Sequence, residues 1–268
     1  MDWLQTVILA IVEGITEYLP ISSTGHMILT SAAMGIADDE FVKLYEVAIQ
    51  LGAILAVVVL YWKKFFSFQQ GWLQFYQKII LGVLPLLILG FLLHKEIEKL
   101  LGSPLVVGCT LFVGGIILLF VDKWFNKPEI DSVAKVDVFR ALRIGFFQCL
   151  ALLPGTSRSA ATIVGGMQQK LTRAEAAEFS FFLAVPAMLA ATGYDLLKKK
   201  DLLIGPGVGS DNLLKLAVGG FIAFLVAMAA IKLFINSLKK YGFKMWGVYR
   251  IIVGLLVFAA VYWGYLKA

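Results

Sequence analysis

The chain alternates long apolar segments with short polar ones, and six of the apolar segments are long enough to cross a lipid bilayer as helices. A spanning helix needs about 20 apolar residues, and continuous apolar runs of that length favour such helices over strands. We therefore predict spans at residues 41–62, 79–93, 104–121, 175–197, 213–235 and 244–265. A start near Trp72 is the alternative for the second span.

Two further apolar segments are each interrupted by a polar break. The first break contains Pro20, which cannot continue a helix, and the second is the stretch Leu153-Pro-Gly-Thr-Ser-Arg-Ser159. The flanking helices are predicted at residues 2–19, 24–34 and about 138–152, followed by a short helix up to Gln169. Each is marginal or too short to span alone, so we predict that each pair enters the membrane and turns back.

The two breaks lie at matched positions in the chain. Pro20 and Pro154 are 134 residues apart (154 − 20), and the same offset carries Phe41 to Glu175, where the next spans begin. Each half of the chain then holds one broken pair and three spans. Because three is an odd number of crossings, the second half must be inverted relative to the first, as in known transporter architectures.

The predicted fold is therefore an all-α polytopic membrane protein built as an inverted-topology repeat. Each half is a re-entrant broken helix pair plus three transmembrane helices, over residues 1–121 and 138–268. A polar linker over 122–137 joins the halves. The stretch Gly205-Pro-Gly-Val-Gly209 is predicted to be a turn.

The composition agrees with a membrane protein and excludes other classes. The 268 residues are 60% hydrophobic and 16% charged, with a mean hydropathy of +0.84, whereas soluble domains carry about 25% charged residues. The start lacks the basic region of a signal peptide, so we expect the first apolar segment to be retained. No basic patch with interleaved aromatic residues is found, so we expect membrane lipids as partners and no nucleic acid. Cys109 and Cys149 have no paired spacing and are expected to be small core residues, without a disulfide or zinc site.

The net charge of +6 is unevenly distributed between the two sides of this topology. One side carries Lys63, Lys64, Lys78, Lys123, Lys127, Lys135, Arg140, Arg143, Lys170, Arg173, Lys239, Lys240 and Lys244. The other side carries Lys43, Lys95, Lys99, Lys198, Lys199, Lys200 and Lys267. Basic residues concentrate in cytoplasmic loops, so we place the larger set in the cytoplasm. Both termini then face outward, and the first broken pair enters from outside.

The first break gathers polar groups that an apolar region does not need for packing: Glu13, Glu17, Ser22, Ser23, Thr24, Gly25 and His26. The two glutamates are four residues apart and share one helix face. The hydroxyl residues are good N-caps for the short helix, which we expect to begin near Gly25. Ionisable groups at bilayer depth cost about 2.5–3.5 kcal/mol each and need partners or water. One interpretation is a buried ion pair between Glu17 and Arg158 that only stabilises the fold.

The second interpretation is an anion site between the two breaks. Helix N-termini offer free N–H groups and the positive end of the helix dipole, and glycines let the backbone approach closely. Arg158 can hold phosphate oxygens with two N–H groups, and Thr162 lies one helical turn later. The candidate phosphate-binding residues are Ser22, Thr24, Gly25, Gly155, Ser157, Ser159 and Thr162. A plain N-cap is the alternative for each hydroxyl and uses the same geometry.

Carboxylates beside a phosphate would repel it unless a cation lay between them. Oxygen ligands suit Mg²⁺ or Ca²⁺, and Mg²⁺ commonly uses one or two carboxylates plus phosphate. Glu13 and Glu17 are candidate ligands, and Glu17 is alternatively a general base. His26 is a candidate base, acid or nucleophile, against a purely structural role. Three more polar residues either line the cavity or hydrogen-bond between helices: Glu46, Gln50 and Glu178.

The stretches over residues 13–26 and 154–162 resemble the two signature motifs of the undecaprenyl-diphosphate phosphatases, also called bacitracin-resistance proteins. They run Glu13-Gly-Ile-Thr-Glu-Tyr-Leu-Pro-Ile-Ser-Ser-Thr-Gly-His26 and Pro154-Gly-Thr-Ser-Arg-Ser-Ala-Ala-Thr162. The likeness covers the whole chain, including residues 49–57 and 178–187. One departure is Ala160, where the family usually has glycine. We expect its methyl group to narrow the pocket slightly without abolishing activity.

The resemblance implies an enzyme of the bacterial inner membrane that depends on a divalent cation and opens its site toward the periplasm. Such a polyprenyl-diphosphate phosphatase, an acid anhydride hydrolase, removes the terminal phosphate of undecaprenyl diphosphate and returns the monophosphate carrier to cell-wall assembly. The family's acidic pair, serines, histidine and arginine correspond to Glu13 and Glu17, Ser22 and Ser23, His26, and Arg158. The nucleophile is left open between Ser23, His26 and water. A homodimer is a candidate assembly.

Three other functions fit part of the sequence. A secondary transporter also uses inverted repeats, broken helices and intramembrane charges, but does not need a base beside a nucleophile. A lipid flippase on the same scaffold is a second alternative, and an enzyme that also flips its product would fit as well. The type 2 phosphatidic acid phosphatases pair Ser-Gly-His with Ser-Arg and a second histidine. Ser23-Thr-Gly-His26 is faintly similar, but no histidine follows Arg158 in the chain.

Overall fold

The computed structural model describes residues 1–66, 71–101, 103–204 and 210–266. That part of the chain is helical, and its only β pairing is an isolated bridge between Ile130 and Leu171. The helices are α1 (Trp3–Thr16), α2 (Ser23–Ala33), α3 (Glu40–Ala48), α4 (Gln50–Leu60), α5 (Trp62–Phe66), α6 (Trp72–Leu92), α7 (His94–Leu101), α8 (Pro104–Trp124), α9 (Val138–Gln148), α10 (Arg158–Gln168), α11 (Arg173–Lys198), α12 (Asp201–Ile204), α13 (Ser210–Tyr241) and α14 (Lys244–Tyr262). Two short 3₁₀ helices cover Val133–Lys135 and Cys149–Leu152.

Within the described residues, six helical segments are long and apolar enough to cross a membrane, which confirms the predicted number of spans. They are Glu40–Leu60, Trp72–Leu92, Pro104–Trp124, Arg173–Lys198, Asp211–Tyr241 and Lys244–Tyr262. The start near Trp72 is the correct alternative for the second span, and α13 extends several residues beyond the predicted 213–235. The predicted turn over 205–209 lies outside the described residues.

The apolar pattern predicted one continuous helix for the first span, but the structure has two. α3 ends at Ala48 and α4 begins at Gln50, so the helix is interrupted at Ile49. The Gly52 amide donates to the Ile49 carbonyl three residues earlier, 2.9 Å away, and this tighter bond replaces a regular α-helical one. The interruption lies beside the cavity described below.

Both broken pairs are present, with boundaries that correct the predicted ones. α1 ends at Thr16 and not at residue 19, because the residues leading to Pro20 already form a turn. A proline disfavours helical backbone in the residue before it and donates no hydrogen bond. α2 begins at Ser23, two residues earlier than expected, with Ser22 as its N-cap. In the second pair the predicted 138–152 helix becomes α9 followed by a 3₁₀ turn.

The two halves of the chain are packed into each other. α1 of the first half packs against α13 of the second, and α9 of the second half packs against α6 of the first. The first spans of the halves, α4 and α11, also touch, as do the third spans, α8 and α14. Aromatic residues of α11 fill the centre: Phe179, Phe181 and Phe182 are almost fully buried, and Phe181 makes an edge contact with Tyr18 in the first break.

Helix ends and loops from distant parts of the chain meet at each end of the bundle. At one end, the Asp122 carboxylate accepts hydrogen bonds from Arg173 Nε at 2.5 Å and from the Phe243 amide at 2.7 Å. At the opposite end, the Met1 amine pairs with Asp39 at 3.6 Å. Lys199 pairs with Glu40 there, at 3.3 Å. The end that contains Asp122 is the one to which the larger set of basic residues was assigned.

Both cysteines are free. Cys149 is half-buried, but Cys109 is exposed on α8, so the expectation of a core position was wrong for Cys109. Apolar surroundings in a span do not distinguish the protein interior from the lipid-facing surface, because lipid tails are as apolar as a core.

Candidate active site

The two breaks meet in the middle of the protein through side chains and backbone. Arg158 Nη2 lies 2.9 Å from Glu17 Oε1, and the two side chains are 12% and 6% exposed. The hydroxyls of Ser157 and Ser159 both donate to the Leu19 carbonyl, at 3.3 Å and 2.8 Å. The ion pair that served as the structural interpretation is thus formed, and it lies among the other predicted polar groups.

The backbone of the first break places Ser23 next to the ion pair. Ser22 has a φ of 71°, a left-handed conformation that only glycine adopts without strain. Its hydroxyl accepts a hydrogen bond from the Gly25 amide at 3.2 Å and so caps α2. Ser23, the first residue of α2, donates from Oγ to Glu17 Oε2 at 2.5 Å. One carboxylate therefore bridges a serine hydroxyl and a guanidinium.

A small polar cavity of about 130 Å³ lies directly over these groups. It is lined by Glu17, Ser22, Ser23, Thr24, Gln50, Ala151, Thr156, Ser157, Arg158 and Met188. The first turns of both α2 and α10 are among the lining, so two helix N-termini face one space. Pockets that enclose drug-sized molecules are larger, about 300–1,000 Å³. This cavity is thus suited to a small anionic group and does not enclose a long lipid tail.

The sequence analysis left the role of one lining residue undecided and did not predict several others. Gln50 was undecided, and it lines the cavity because it follows the interruption at Ile49. Glu178 is half-buried and is not part of the lining, and Glu46 has one buried oxygen without a hydrogen-bond partner among the described residues. Thr156, Ala151 and Met188 were not predicted. Thr156 could have been, because it lies inside the second break.

His26 turns away from the cavity lining. Its Nδ1 lies 2.7 Å from the Ser22 carbonyl, and its Nε2 lies 2.7 Å from the Tyr249 hydroxyl. A carbonyl only accepts, so Nδ1 carries the proton and, in the neutral ring, Nε2 accepts from the tyrosine. Both ring nitrogens are therefore engaged, Nδ1 with the backbone of the first break and Nε2 with the Tyr249 hydroxyl of α14.

Five other predicted residues lie beside the cavity without lining it, and one of them, Glu13, is described below. The Thr162 hydroxyl is buried between the Arg158 carbonyl, at 2.8 Å, and Ser180 Oγ, at 2.5 Å. Ser159 is fully buried against the Leu19 carbonyl. Gly25 and Gly155 contribute through the backbone: the former binds the Ser22 hydroxyl, and the latter turns with a φ of 83°.

Ala160, whose methyl group we expected to narrow the pocket, is buried in α10 and does not line the cavity. Its amide donates to the Ser157 hydroxyl at 3.1 Å. The expected narrowing of the pocket is therefore absent.

Glu13 is a buried carboxylate whose oxygens lack, within the described part of the chain, the hydrogen-bond donors that such a group requires. It is fully buried one turn before Glu17, close enough to that carboxylate to share a proton with it, and no other donor among the described residues bonds to either of its oxygens. A buried carboxylate needs a proton or a cation. No group of three or more Asp, Glu, His or Cys side chains in the described ranges could hold a metal ion by itself. The donor set fits a Mg²⁺-like ion that takes carboxylates from the protein and other oxygens from a phosphate.

Two residues of α14, which the sequence analysis missed, also reach the breaks. Tyr249 bonds to His26, and Arg250, which is 1% exposed, donates to carbonyls of both breaks. A signal was present in the sequence, because Arg250 is a charge inside an otherwise apolar span and such charges point to a specific role.

Known proteins are similar to this chain over nearly its whole length. The family model described as "Bacitracin resistance protein BacA" matches residues 6–256. The undecaprenyl-diphosphatase of Flavobacterium psychrophilum is 52% identical over 260 residues, covering 96% of this chain and 95% of that relative. The undecaprenyl-diphosphatase of Aquifex aeolicus is 46% identical over 263 residues, covering 97% of this chain and 98% of that relative. The family match covers both breaks and the first five spans, and it ends within the sixth.

Proposed function

The chain belongs to the bacitracin resistance protein BacA family, and from that membership we infer that it is a membrane phosphatase that converts undecaprenyl diphosphate to undecaprenyl phosphate. This reaction recycles the lipid carrier of cell-wall synthesis. The observation that carries the chemistry is the Ser23–Glu17–Arg158 chain, with contacts of 2.5 Å and 2.9 Å at one polar cavity.

The diphosphate is proposed to bind between the N-termini of α2 and α10. Both helices point free N–H groups and positive dipole ends at the cavity. Arg158 lies between them, and its guanidinium has donors beyond those used for Glu17 and the Ser180 carbonyl. The cavity holds only the headgroup, so the isoprenoid tail extends along the apolar outer surface of the spans.

Ser23 is the proposed nucleophile. Glu17 takes the hydroxyl proton while Ser23 Oγ attacks the terminal phosphorus, and the bond from that phosphorus to the bridging oxygen breaks. Undecaprenyl phosphate leaves and takes the proton back from Glu17, and a phosphoserine is formed. Glu17 then deprotonates a water molecule that attacks the phosphoserine, the bond from phosphorus to Ser23 Oγ breaks, and Glu17 returns the proton to Ser23 Oγ as inorganic phosphate is released. Arg158 and the helix amides stabilise the charge on the transferring phosphoryl group, where positioning and electrostatics supply most of the catalysis.

The alternatives for the nucleophile are less well supported. His26 has both ring nitrogens bound and does not line the cavity. A direct attack by water would leave Ser23 as a binding group. Trapping a phosphoserine at Ser23 by acid quench separates the two routes.

Glu13 and Glu17 would hold a divalent cation, Mg²⁺ or Ca²⁺, together with oxygens of the diphosphate. Such an ion would neutralise the charge of the carboxylates and phosphates that meet in the site. The orphaned oxygens of Glu13 support this assignment.

We also propose that the halves are inverted repeats and that the protein lies in the bacterial inner membrane with the active site toward the periplasm. The reciprocal packing of α1 on α13 and of α9 on α6 supports the repeat, because a two-fold axis would exchange these contacts. The larger set of basic residues lies at the Asp122 end of the bundle, which supports a cytoplasmic location for that end.

The decisive experiment is phosphate release from undecaprenyl diphosphate by the purified protein in detergent, without a sealed membrane. We expect turnover by wild type and a loss of about 100- to 10,000-fold in Glu17→Gln, which removes the general base. Glu178→Gln is the matched control, because this half-buried glutamate lies outside the cavity lining, and it should keep wild-type turnover. A wild-type protein that binds the lipid but releases no phosphate would support the transporter or flippase alternative.

A further inference from the structure

The last helix, α14, sends two consecutive residues to the breaks, although neither lines the cavity. We propose that Tyr249 and Arg250 are positioning residues, which hold the two breaks so that Ser23 stays against Glu17 and Arg158. The inference rests on the phosphatase function proposed above and adds residues outside both sequence motifs.

Arg250 connects the two breaks to α8 through main-chain carbonyls. Its Nη1 donates to the Pro20 carbonyl at 3.2 Å, and its Nη2 donates to the Gly155 carbonyl at 3.3 Å. Further bonds reach the carbonyls of Thr110 at 3.0 Å and Leu111 at 3.4 Å. One planar guanidinium therefore fixes the first break, the second break and a spanning helix relative to one another.

This use of an arginine is unusual because it is buried and is paired with no acid. None of the ion pairs found within the described residues includes Arg250. A buried cation is costly unless its donors are satisfied, and here the satisfying groups are the backbone of the site itself. The surrounding chain leaves room for the group: a Cβ on Gly114 would lie 2.4 Å from Arg250 Nη2.

Tyr249 acts on the first break through His26. The two rings are stacked, with centroids 5.7 Å apart and an interplanar angle of 6°. The tyrosine hydroxyl binds Nε2, and Nδ1 binds the carbonyl of Ser22, the residue with the left-handed backbone. A strained residue persists only where its surroundings hold it. The tyrosine thus orients the imidazole that holds this turn.

Together these contacts secure the backbone that precedes the proposed nucleophile. The carbonyls of Leu19, Pro20 and Ser22 are held by the second break, by Arg250 and by His26, respectively. Ser23 follows directly and makes its 2.5 Å contact with Glu17. A shift of about 1 Å in a reacting group can cost about 100-fold in rate, so loss of either α14 residue should slow the chemical step.

The test measures phosphate release as a function of substrate concentration for purified full-length variants in detergent. Tyr249→Phe removes one hydroxyl and is expected to lower kcat about 10-fold, with KM within about 2-fold of wild type, because the cavity lining is unchanged. Tyr262→Phe is the matched control on the same helix, where the tyrosine is 87% exposed, and should leave both constants unchanged.

The conservative and apolar replacements of Arg250 give a second readout. We expect Arg250→Lys to lower kcat about 10-fold and Arg250→Met about 100-fold, because lysine keeps some of the donors and methionine keeps none. Unfolding midpoints are recorded for every variant, and rates are measured well below them. If Arg250→Met fails to fold, wild-type kcat in Arg250→Lys would overturn the role of Arg250, and Tyr249→Phe still decides for Tyr249.

Wild-type kcat in Tyr249→Phe would overturn the positioning role of Tyr249, and wild-type kcat in Arg250→Met that of Arg250. An unchanged kcat with a lowered unfolding midpoint has the same meaning, because it marks a residue that only stabilises the fold. Both results require an active wild type. Failure of the wild type to release phosphate would instead overturn the proposed function.

Discussion

The first and second breaks share one backbone plan, but the helices that follow them are buried to different extents. Each turns through one residue with left-handed backbone, Ser22 with a φ of 71° in the first and Gly155 with a φ of 83° in the second. Glycine adopts this conformation freely, whereas a serine is strained. After the turn, α2 buries four of its 11 residues, while α10 buries eight of 11 and packs along α11. The second break is therefore the better-packed wall of the site.

The two breaks also contribute different chemical groups to the site. The first break carries the buried acids Glu13 and Glu17 and the serine that contacts them, and the second contributes Arg158 and the capping Ser157. The group proposed to react thus lies in the break followed by the less buried helix, and the group proposed to bind charge lies in the break followed by the more buried helix. The two breaks, which lie at matching positions in the chain, are thus proposed to have different roles in the reaction.

The largest difference between the breaks should appear when one serine is removed from each. We expect Ser23→Ala to lower kcat about 1,000-fold or more, because it removes the proposed nucleophile. We expect Ser157→Ala to destabilise the protein by about 1 kcal/mol through loss of the α10 cap, with kcat within about 10-fold of wild type. Phosphate release and thermal unfolding measure the two effects. Equal losses of turnover would contradict the division of roles.

The two acids of the first break should respond differently to added metal. With Glu13→Gln, we expect the Mg²⁺ concentration for half-maximal activity to rise about 10- to 100-fold, with turnover recovering at high Mg²⁺, because one ligand is weakened. With Glu17→Gln, turnover should stay low at every Mg²⁺ concentration, because a base is also lost. Chelation should abolish wild-type activity. Full activity after chelation would refute a cation at Glu13.

A methyl group added at the second break should destabilise the protein more than one added just after the first break. Gly155→Ala is expected to destabilise the protein by about 3 kcal/mol or more, because the new Cβ would lie 2.2 Å from Thr110 Oγ1 on a left-handed backbone. Gly25→Ala should cost less than about 1 kcal/mol, since its Cβ would meet the nearest atom of Val107 at 3.2 Å and its φ is ordinary. Unfolding in detergent measures both. A tolerated Gly155→Ala would show that the second break is not rigid.

The smallest expected effect is in backbone dynamics. Amides of α2 should exchange with deuterium about 10-fold faster than those of α10, because α10 packs against both α9 and α11, whereas α2 packs chiefly against α1. A non-hydrolysable diphosphate analogue should slow exchange in the first turn of α2 more than in α10. Mass spectrometry of the protein in lipid nanodiscs resolves the two helices. Equal exchange in both would remove the dynamic part of the comparison.

The sequence predicted most of this architecture because its features are local. Hydropathy marked the spans, and Pro20 with its neighbouring hydroxyls marked the first break. The interruption at Ile49 left no comparable mark, because no proline lies beside it and the Gln50 that follows is compatible with a continuous helix. The exposure of Cys109 was also hidden, since hydropathy does not separate lipid-facing from core-facing positions.

Parts of the site depended on contacts between residues far apart in the chain. His26 and Tyr249 are 223 positions apart, and Arg250 reaches a carbonyl at Pro20. No local pattern encodes such pairs. The motif residues of the breaks were therefore found, while the α14 residues that hold them were not.

The packing of α1 against α13 has a consequence for the biogenesis of the protein. α13 begins 194 residues after α1 ends (210 − 16), and at about 5–20 residues per second its synthesis follows about 10–40 s later. During that interval the nascent α1–α2 hairpin carries its two glutamates without the helix that will enclose it. Assembly of the hairpin must therefore be completed late, and a ribosome that stalls before residue 210 leaves an unfinished hairpin for membrane quality control.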